Sequence, residues 1–360
     1  MSLPDLLDLH RQLVECPSIS GEERAIADLV EGMLRTLPAE VERIGNNVLA
    51  VAGQGPRMLL NSHLDTVPAH QGWTRAPWNA VREEGRIYGL GSNDAKASVA
   101  AMMKAFEQVC FQGGPAQVVL LLVSEEETGG GGMQVAWPHV KQRGLLPEGG
   151  VVGEPTGLDV ALSQRGLLIL EMIASGDACH SANASELKAR NPIRQLARDV
   201  VALEGIDLGP PHPILGSTTL EPTVITGGER RNMIPGKASV YLDLRTEPDL
   251  GHDELIRRVS ERVESAIRVH SNRFFPKSCS RDERIAQAAA LARPQAKFYG
   301  SRTLSDWVYL DIPAIKVGPG RTERSHTPDE FVLESELFEG VDFYRDLVSA
   351  FAQSAQTAQP

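Results

Sequence analysis

Five side chains suited to a divalent cation are spread along the chain: His63, Asp94, Glu127, Glu154 and His326. Each stands at or just beyond the end of a strand-like apolar run, or at the start of a helix. Two imidazoles and three carboxylates form the hard-to-borderline donor set that binds zinc, cobalt or manganese. Two ions need about two protein donors each plus a bridge, so five residues suffice if one carboxylate is shared. Such a pair, roughly 3.5–4 Å apart, shares a water as nucleophile. Asp65 follows His63 by two residues, and on an extended backbone residues two apart lie on one face. Its carboxylate would hold the hydrogen on one imidazole nitrogen while the other nitrogen binds a metal.

Each residue alone also has a plainer reading. A histidine after a strand is commonly a surface or satisfied core residue. Asp94 precedes a helix, where aspartate is a favoured N-cap. The run Glu125-Glu126-Glu127 reads equally as a solvated acidic turn. Glu154-Pro155 reads as a turn and His326 as a loop residue. The metal reading rests on all five standing together at element ends.

The elements that must position these residues follow from the apolar pattern. Residues 59–62 form a short strand ending at His63, and Gly53–Pro56 predicts a hairpin-type turn into it from a strand at 48–51. Residues 94–109 predict a long helix of small residues, suited to close packing on a sheet. The continuous apolar run 118–123 suits a strand covered on both faces, and it leads into the glutamate run. Residues 151–153 deliver Glu154, and 314–317 lead into Gly318-Pro319-Gly320. In open α/β sheets, ligands gather beyond the carboxyl ends of strands. Between these segments the pattern changes: a strand at 167–174, a helix at 186–203, strands at 218–226 and 238–245, and a helix at 252–269. That order predicts an inserted antiparallel α+β layer.

Bulk composition narrows the function. At 360 residues the chain exceeds what one core usually holds, which predicts two domains. A formal net charge of -11 argues against a nucleic-acid surface, while a metal ion can reverse the field locally for an anionic substrate. The four cysteines, Cys16, Cys110, Cys179 and Cys279, form no CxxC pair and suit a reduced compartment. No apolar run reaches the about 18 residues of a membrane span, and the first 14 residues lack a signal-peptide core. The expectation is a cytoplasmic protein with no nucleic-acid or membrane partner.

The wording and order of the motifs carry a resemblance. His63-Leu64-Asp65-Thr66-Val67-Pro68, Gly91-Ser92-Asn93-Asp94-Ala95-Lys96, Glu125-Glu126-Glu127-Thr128-Gly129, Gly153-Glu154-Pro155-Thr156 and Gly318-Pro319-Gly320 with Ser325-His326-Thr327-Pro328-Asp329-Glu330 resemble the binuclear zinc aminoacylase and carboxypeptidase family. That family includes acetylornithine deacetylase, acetylcitrulline deacetylase and succinyl-diaminopimelate desuccinylase. The similarity runs over nearly the whole chain and points to the acetylornithine and acetylcitrulline branch.

The resemblance implies an α/β, zinc-exopeptidase-like catalytic domain over residues 1–165 and 276–360, its mostly parallel central sheet flanked by helices. It implies an inserted α+β, ferredoxin-like lid and dimerisation domain over residues 166–275. Two divalent ions, zinc or cobalt, would be bridged by Asp94. His63 and Glu154 would hold one ion, Glu127 and His326 the other. Glu126 would be the general base, with Asp65 orienting His63. Adjacent carboxylates fit this split, one fixed on a metal and its neighbour free to exchange a proton. His180, in Gly176-Asp177-Ala178-Cys179-His180-Ser181, would donate to the oxyanion, an effect typically worth about 2.7–4 kcal/mol. Asn232 and Arg245 resemble lid residues that contact substrate. Arginine, asparagine or the backbone near Gly318 would meet the substrate's carboxylate. A homodimer through the inserted domain is implied as well.

Two departures from the family pattern stand out. Ala97 and Ser98 follow Lys96 where relatives usually carry glycine, which predicts altered helix packing. The segment after the second lid helix is short, which predicts a reduced last lid strand. The activity implied is deacylation of an N-acetyl amino acid, N-acetylcitrulline or N-acetylornithine, in arginine biosynthesis. A desuccinylase or metallo-exopeptidase is the alternative within the family. A non-catalytic amino-acid or peptide binder is the alternative outside it.

Overall fold

In the computed structural model, which describes residues 2–356, the apolar run before His63 forms the strand Arg57–His63. It lies inside a sheet ordered Glu40–Ile44, Asn47–Ala52, Gln117–Val123, Arg57–His63, Gly149–Val152, Ala314–Lys316, Val160–Gln164. The four strands from Gln117–Val123 to Ala314–Lys316 run parallel, and the flanking strands pair antiparallel. Val118 to Val123 are fully buried, as expected of a strand covered on both faces.

The hairpin expected at Gly53–Pro56 does not form. Gln117–Val123 inserts between Asn47–Ala52 and Arg57–His63, antiparallel to the first and parallel to the second. A run of leucine and valine that can bury both faces displaces the local pairing. The helix after Asp94 spans Lys96–Gln112 and is buried along most of its length. Its N-cap is Ala95, with no side-chain cap, so Asp94 is not serving the helix in that way. Ser98 lets the sheet approach closely: a Cβ on Gly318 would stand 2.4 Å from Ser98 Oγ, and one on Gly153 2.9 Å from Ser98 Cβ. The Ala97-Ser98 pair thus keeps the packing tight with small side chains.

The chain divides into two compact units: one comprises residues up to Leu162, Cys279–Tyr299 and those from Ser305 on, the other Ser163–Ser278 and Gly300–Leu304. The second has a four-stranded antiparallel sheet ordered Thr219–Gly227, Lys237–Thr246, Gly166–Ser175, Ala266–Phe274. With helices Pro192–Ala202 and His252–Arg262 the chain order is strand-helix-strand-strand-helix-strand, a ferredoxin-like arrangement. Leu168, Leu170, Met172, Leu242 and Leu244 pack with Leu196, Leu255 and Val259 in its core.

Two expectations are corrected here. The helix expected over 252–269 stops at Arg262, and the last strand, Ala266–Phe274, is nine residues long rather than reduced. Val259, Val263 and Ile267 recur at helical spacing, which favours one long helix on sequence alone. Asp199 overrides it by accepting the N–H groups of Glu264 and Ser265 and the Ser265 hydroxyl, which turns the chain out of the helix. The four cysteines are free. Among the described residues no helix is long and apolar enough to cross a membrane.

Candidate metal centre

The parallel strands deliver their next residues to one edge of the sheet. His63 is the last residue of its strand; Glu126 and Glu127 follow Gln117–Val123 in a short 3-10 turn. Glu154 lies two residues past Gly149–Val152. Asp94 comes from the turn before Lys96–Gln112, through a cis Asp94–Ala95 peptide, and His326 from a loop in which its own φ is +58°. This is the strand-end placement at which α/β sheets gather ligands.

The five expected donors converge. His63 Nε2 is 3.3 Å from Asp94 Oδ1 and 3.9 Å from Glu154 Oε1. His326 Nε2 is 2.9 Å from Glu127 Oε1 and 3.8 Å from Asp94 Oδ2. Asp94 therefore turns one carboxylate oxygen to each histidine. His63, Asp94 and Glu154 form one group of donor atoms within 4.8 Å of one another, and Asp94, Glu127 and His326 form a second. Glu126 also falls within that distance of His63 and Glu127.

Asp65 organises both sides of the glutamate turn. Its Oδ1 accepts the N–H of Glu126 and its Oδ2 that of Glu127, each at 3.1 Å, and Ser20 Oγ donates to Oδ2 at 2.7 Å. His63 Nδ1 lies 3.0 Å from the Asp65 carbonyl and 3.4 Å from its carboxylate, which leaves Nε2 facing Asp94 and Glu154.

The donor set fits a pair of divalent cations. Glu154 Oε1 is buried without a hydrogen-bond partner. Burial and then the charge of Asp94 push the Glu154 carboxyl up to about 8. Burial, with Glu154 next, raises Glu126 well above the ordinary carboxylate range. The hydrogen bond that His326 donates to the Glu127 carboxylate raises its pKa to about 9. Burial opposes a charge on His63, yet hydrogen bonds to Asp65 and Asp94 outweigh it and raise its pKa. Crowded carboxylates in a buried place call for positive charge, and two imidazoles with three carboxylates suit zinc or cobalt.

Residues 59–350 match the sequence profile of peptidase family M20/M25/M40. The chain belongs to that family. It is a metal-dependent hydrolase by that membership. A succinyl-diaminopimelate desuccinylase of Wolinella succinogenes is 32% identical over 252 residues, covering 67% of this chain and 68% of that protein. An acetylornithine deacetylase of Proteus mirabilis is 26% identical over 364 residues, covering 92% and 93%. In three dimensions, a dinuclear metal-binding M20 peptidase of Bacillus subtilis superposes with a TM-score of 0.71 at 15% identity, over 96% of each chain.

In this M20 family chain the other expected residues are placed less uniformly. His180 pairs with Met233 in a two-residue ladder, and Ser181 N–H donates to the Asn232 carbonyl at 2.9 Å, so His180 and Asn232 are neighbours. The exposed His180 ring accepts the Ala182 N–H at Nδ1, which places its own hydrogen on Nε2. Arg245 is not brought to them. It lies near the far end of Lys237–Thr246 and is paired with Asp243 at 2.8 Å. Gly318 is a packing position rather than a free amide. Its N–H donates to Thr156 Oγ1 and its carbonyl accepts from Thr156 and Leu158, so no amide proton is left for a substrate carboxylate there.

Sequence reasoning missed four residues near the centre. Ser20 gives no sequence signal. Lys316 is 1% exposed, and a lysine inside an apolar strand was the available clue. Asp306 is buried with neither oxygen partnered, and burial pushes its carboxyl up to about 7. Glu330 stands within the His326 motif and turns its carboxylate to the Asp94 backbone.

Proposed function

We propose that this chain hydrolyses the amide of an N-acyl amino acid, releasing a small acyl group, with N-acetylornithine or N-acetylcitrulline as its substrate. The observation that carries this reading is the position of Asp94, whose two oxygens face His63 and His326 and so join two donor groups at one carboxylate. His63, Asp94 and Glu154 would hold one ion, and Asp94, Glu127 and His326 the other, both zinc or cobalt. Ions held there would supply positive charge that polarises the scissile carbonyl and acidifies the attacking water.

The chain's own residues supply the rest. Glu126 takes the proton from the attacking water and delivers it to the leaving nitrogen, so the amide and one water become a carboxylic acid and an amine. Its position beside His63 and Glu127 is held by the Asp65 carboxylate through the Glu126 N–H. Burial and neighbouring carboxylates raise its proton affinity, which suits a group that must hold a proton between two steps. His180, an exposed residue whose Nδ1 accepts the Ala182 N–H, is the donor proposed for the oxyanion through Nε2. The overall likeness to an acetylornithine deacetylase over 92% of this chain supports the acyl amino acid class.

A second reading is N-succinyl hydrolysis, favoured by the 32% identity to a desuccinylase over 67% of this chain. Rates of the zinc- or cobalt-loaded protein on N-acetylornithine, N-acetylcitrulline, N-succinyl-diaminopimelate and simple dipeptides separate these readings. Preferred turnover of an acetylated substrate is the expected result. Turnover of the succinyl compound or of dipeptides alone would remove the deacetylase assignment.

A further inference from the structure

Glu330 lies four residues past His326, is 1% exposed, and belongs to neither donor group. Its carboxylate is turned onto the backbone that carries Asp94. Oε1 accepts the N–H of Asn93 at 2.8 Å and of Asp94 at 2.9 Å, and Oε2 accepts that of Gly91 at 3.3 Å. The Glu330 carbonyl accepts the N–H of Gly89 at 2.9 Å. Asn93 completes the tie. Its side chain accepts the Arg321 N–H at 2.8 Å and donates to the Arg321 carbonyl at 3.1 Å and to Ser325 Oγ at 3.3 Å. The other side of the histidine loop is fastened by Asp329, which accepts the N–H groups of Thr74 and Arg75 at 3.0 Å each.

The Asp94 segment is a turn between a short strand and a helix, with Gly91 at φ +76°. No ladder or helix sets the angle at which Asp94 leaves the backbone. A buried carboxylate that accepts the amides of Gly91, Asn93 and Asp94 sets it instead, through charge-assisted hydrogen bonds. Remove it and three buried amides lose their acceptor, so the turn must rearrange to find others.

We infer that Glu330 is a positioning residue of the metal centre. Its carboxylate fixes the Asp94 backbone so that one carboxylate oxygen meets His63 and the other His326, and it ties that setting to the loop carrying His326. The inference rests on reading Asp94 and His326 as metal ligands. Groups that orient ligands in this way typically contribute about 10–100-fold in metal affinity.

The test titrates metal-free parent, Glu330→Asp and Glu330→Gln with Co²⁺, following heat and the visible absorption of the bound ion. Circular dichroism reports folding in each case. Glu330→Asp keeps the charge but draws the acceptor back by one methylene, and it is expected to weaken at least one ion by roughly 10–100-fold and to shift the cobalt spectrum. Glu330→Gln keeps one acceptor oxygen in place and should fall between Glu330→Asp and the parent. If Glu330→Asp does not fold, a weakened and spectrally shifted Glu330→Gln supports the assignment and a parent-like one overturns it. Parent-like affinity and spectrum in a folded Glu330→Asp also overturn it. A parent that binds no ion overturns the metal-centre reading itself, which is a separate result.

Discussion

Asp65 accepts the backbone N–H of Glu126 at 3.1 Å, so the residue that orients His63 also places the proposed base. One residue thereby contacts a proposed ligand and the proposed base on two different strand ends. Asp65→Asn keeps the volume but loses the charge and one acceptor oxygen. The expected result is a fall in kcat and in metal affinity of about 10–100-fold each, because ligand and base both shift. Steady-state kinetics and metal titration of the folded variant check this, and parent-like values in both would show that Asp65 does not organise the site.

Glu126→Gln separates proton transfer from metal binding. The amide has nearly the same shape but holds no proton at working pH. A loss of roughly 10²–10⁴-fold in kcat is expected, with the number of bound ions unchanged. Elemental analysis beside the kinetic assay decides it. A loss of metal in this variant would instead make Glu126 a ligand, as its distance from His63 and Glu127 allows.

The two donor groups share Asp94 but not His326, which predicts unequal metal losses. Asp94→Ala should bind neither ion tightly. His326→Ala should keep the ion held by His63, Asp94 and Glu154 and lose the other. Chelation of the parent should abolish turnover, and added zinc or cobalt should restore it. Equal metal contents in the two variants would contradict the shared-carboxylate arrangement.

A pH dependence of stability follows from His10, which lies outside the centre. It is fully buried, and its Nε2 donates to the Ser92 carbonyl at 2.8 Å. Burial pulls its pKa down to about 4. Between about 4 and the unfolded value near 6.5 the unfolded chain binds the extra proton, so stability falls as pH drops through that window. The contribution is present above pH 6.5 and amounts to roughly 3 kcal/mol at most. Urea unfolding of parent and His10→Gln from pH 4 to 7 should show a shallower pH slope in the variant. Identical slopes would mean that His10 does not carry the effect.

Much of the centre was legible in the sequence because its donors sit at the ends of apolar runs, where chain direction alone places them. His63, Glu127 and Glu154 needed only the parallel sheet. What sequence reading lost depends on contacts between distant segments. The strand at 117–123 enters between two neighbours that looked like a hairpin, and nothing local announces that insertion. Asp199 ends a helix 63 residues after itself, at Arg262, through bonds that no periodicity encodes. Gly318 looked like a substrate amide because of its glycine motif, whereas close approach to Ser98 and Glu154 is what excludes a side chain there. The role of Glu330 is invisible until its carboxylate is seen beside the Asp94 amide.

The tie between Asp94 and Glu330 has a consequence for the order in which the molecule can be made. His63 and Asp94 leave the ribosome early, and the whole of Ser163–Ser278 is synthesised before His326 and Glu330 follow. The strands of that later-made sheet, Gly166–Ser175 to Ala266–Phe274, are contiguous and can pair while the first donors still wait for their partners. A chain that stops before His326 lacks a member of the second donor group, and one that stops before Glu330 lacks the carboxylate that sets the Asp94 turn. The full pair of proposed donor groups therefore exists only once the whole of Ser163–Ser278 and the His326 loop have been made.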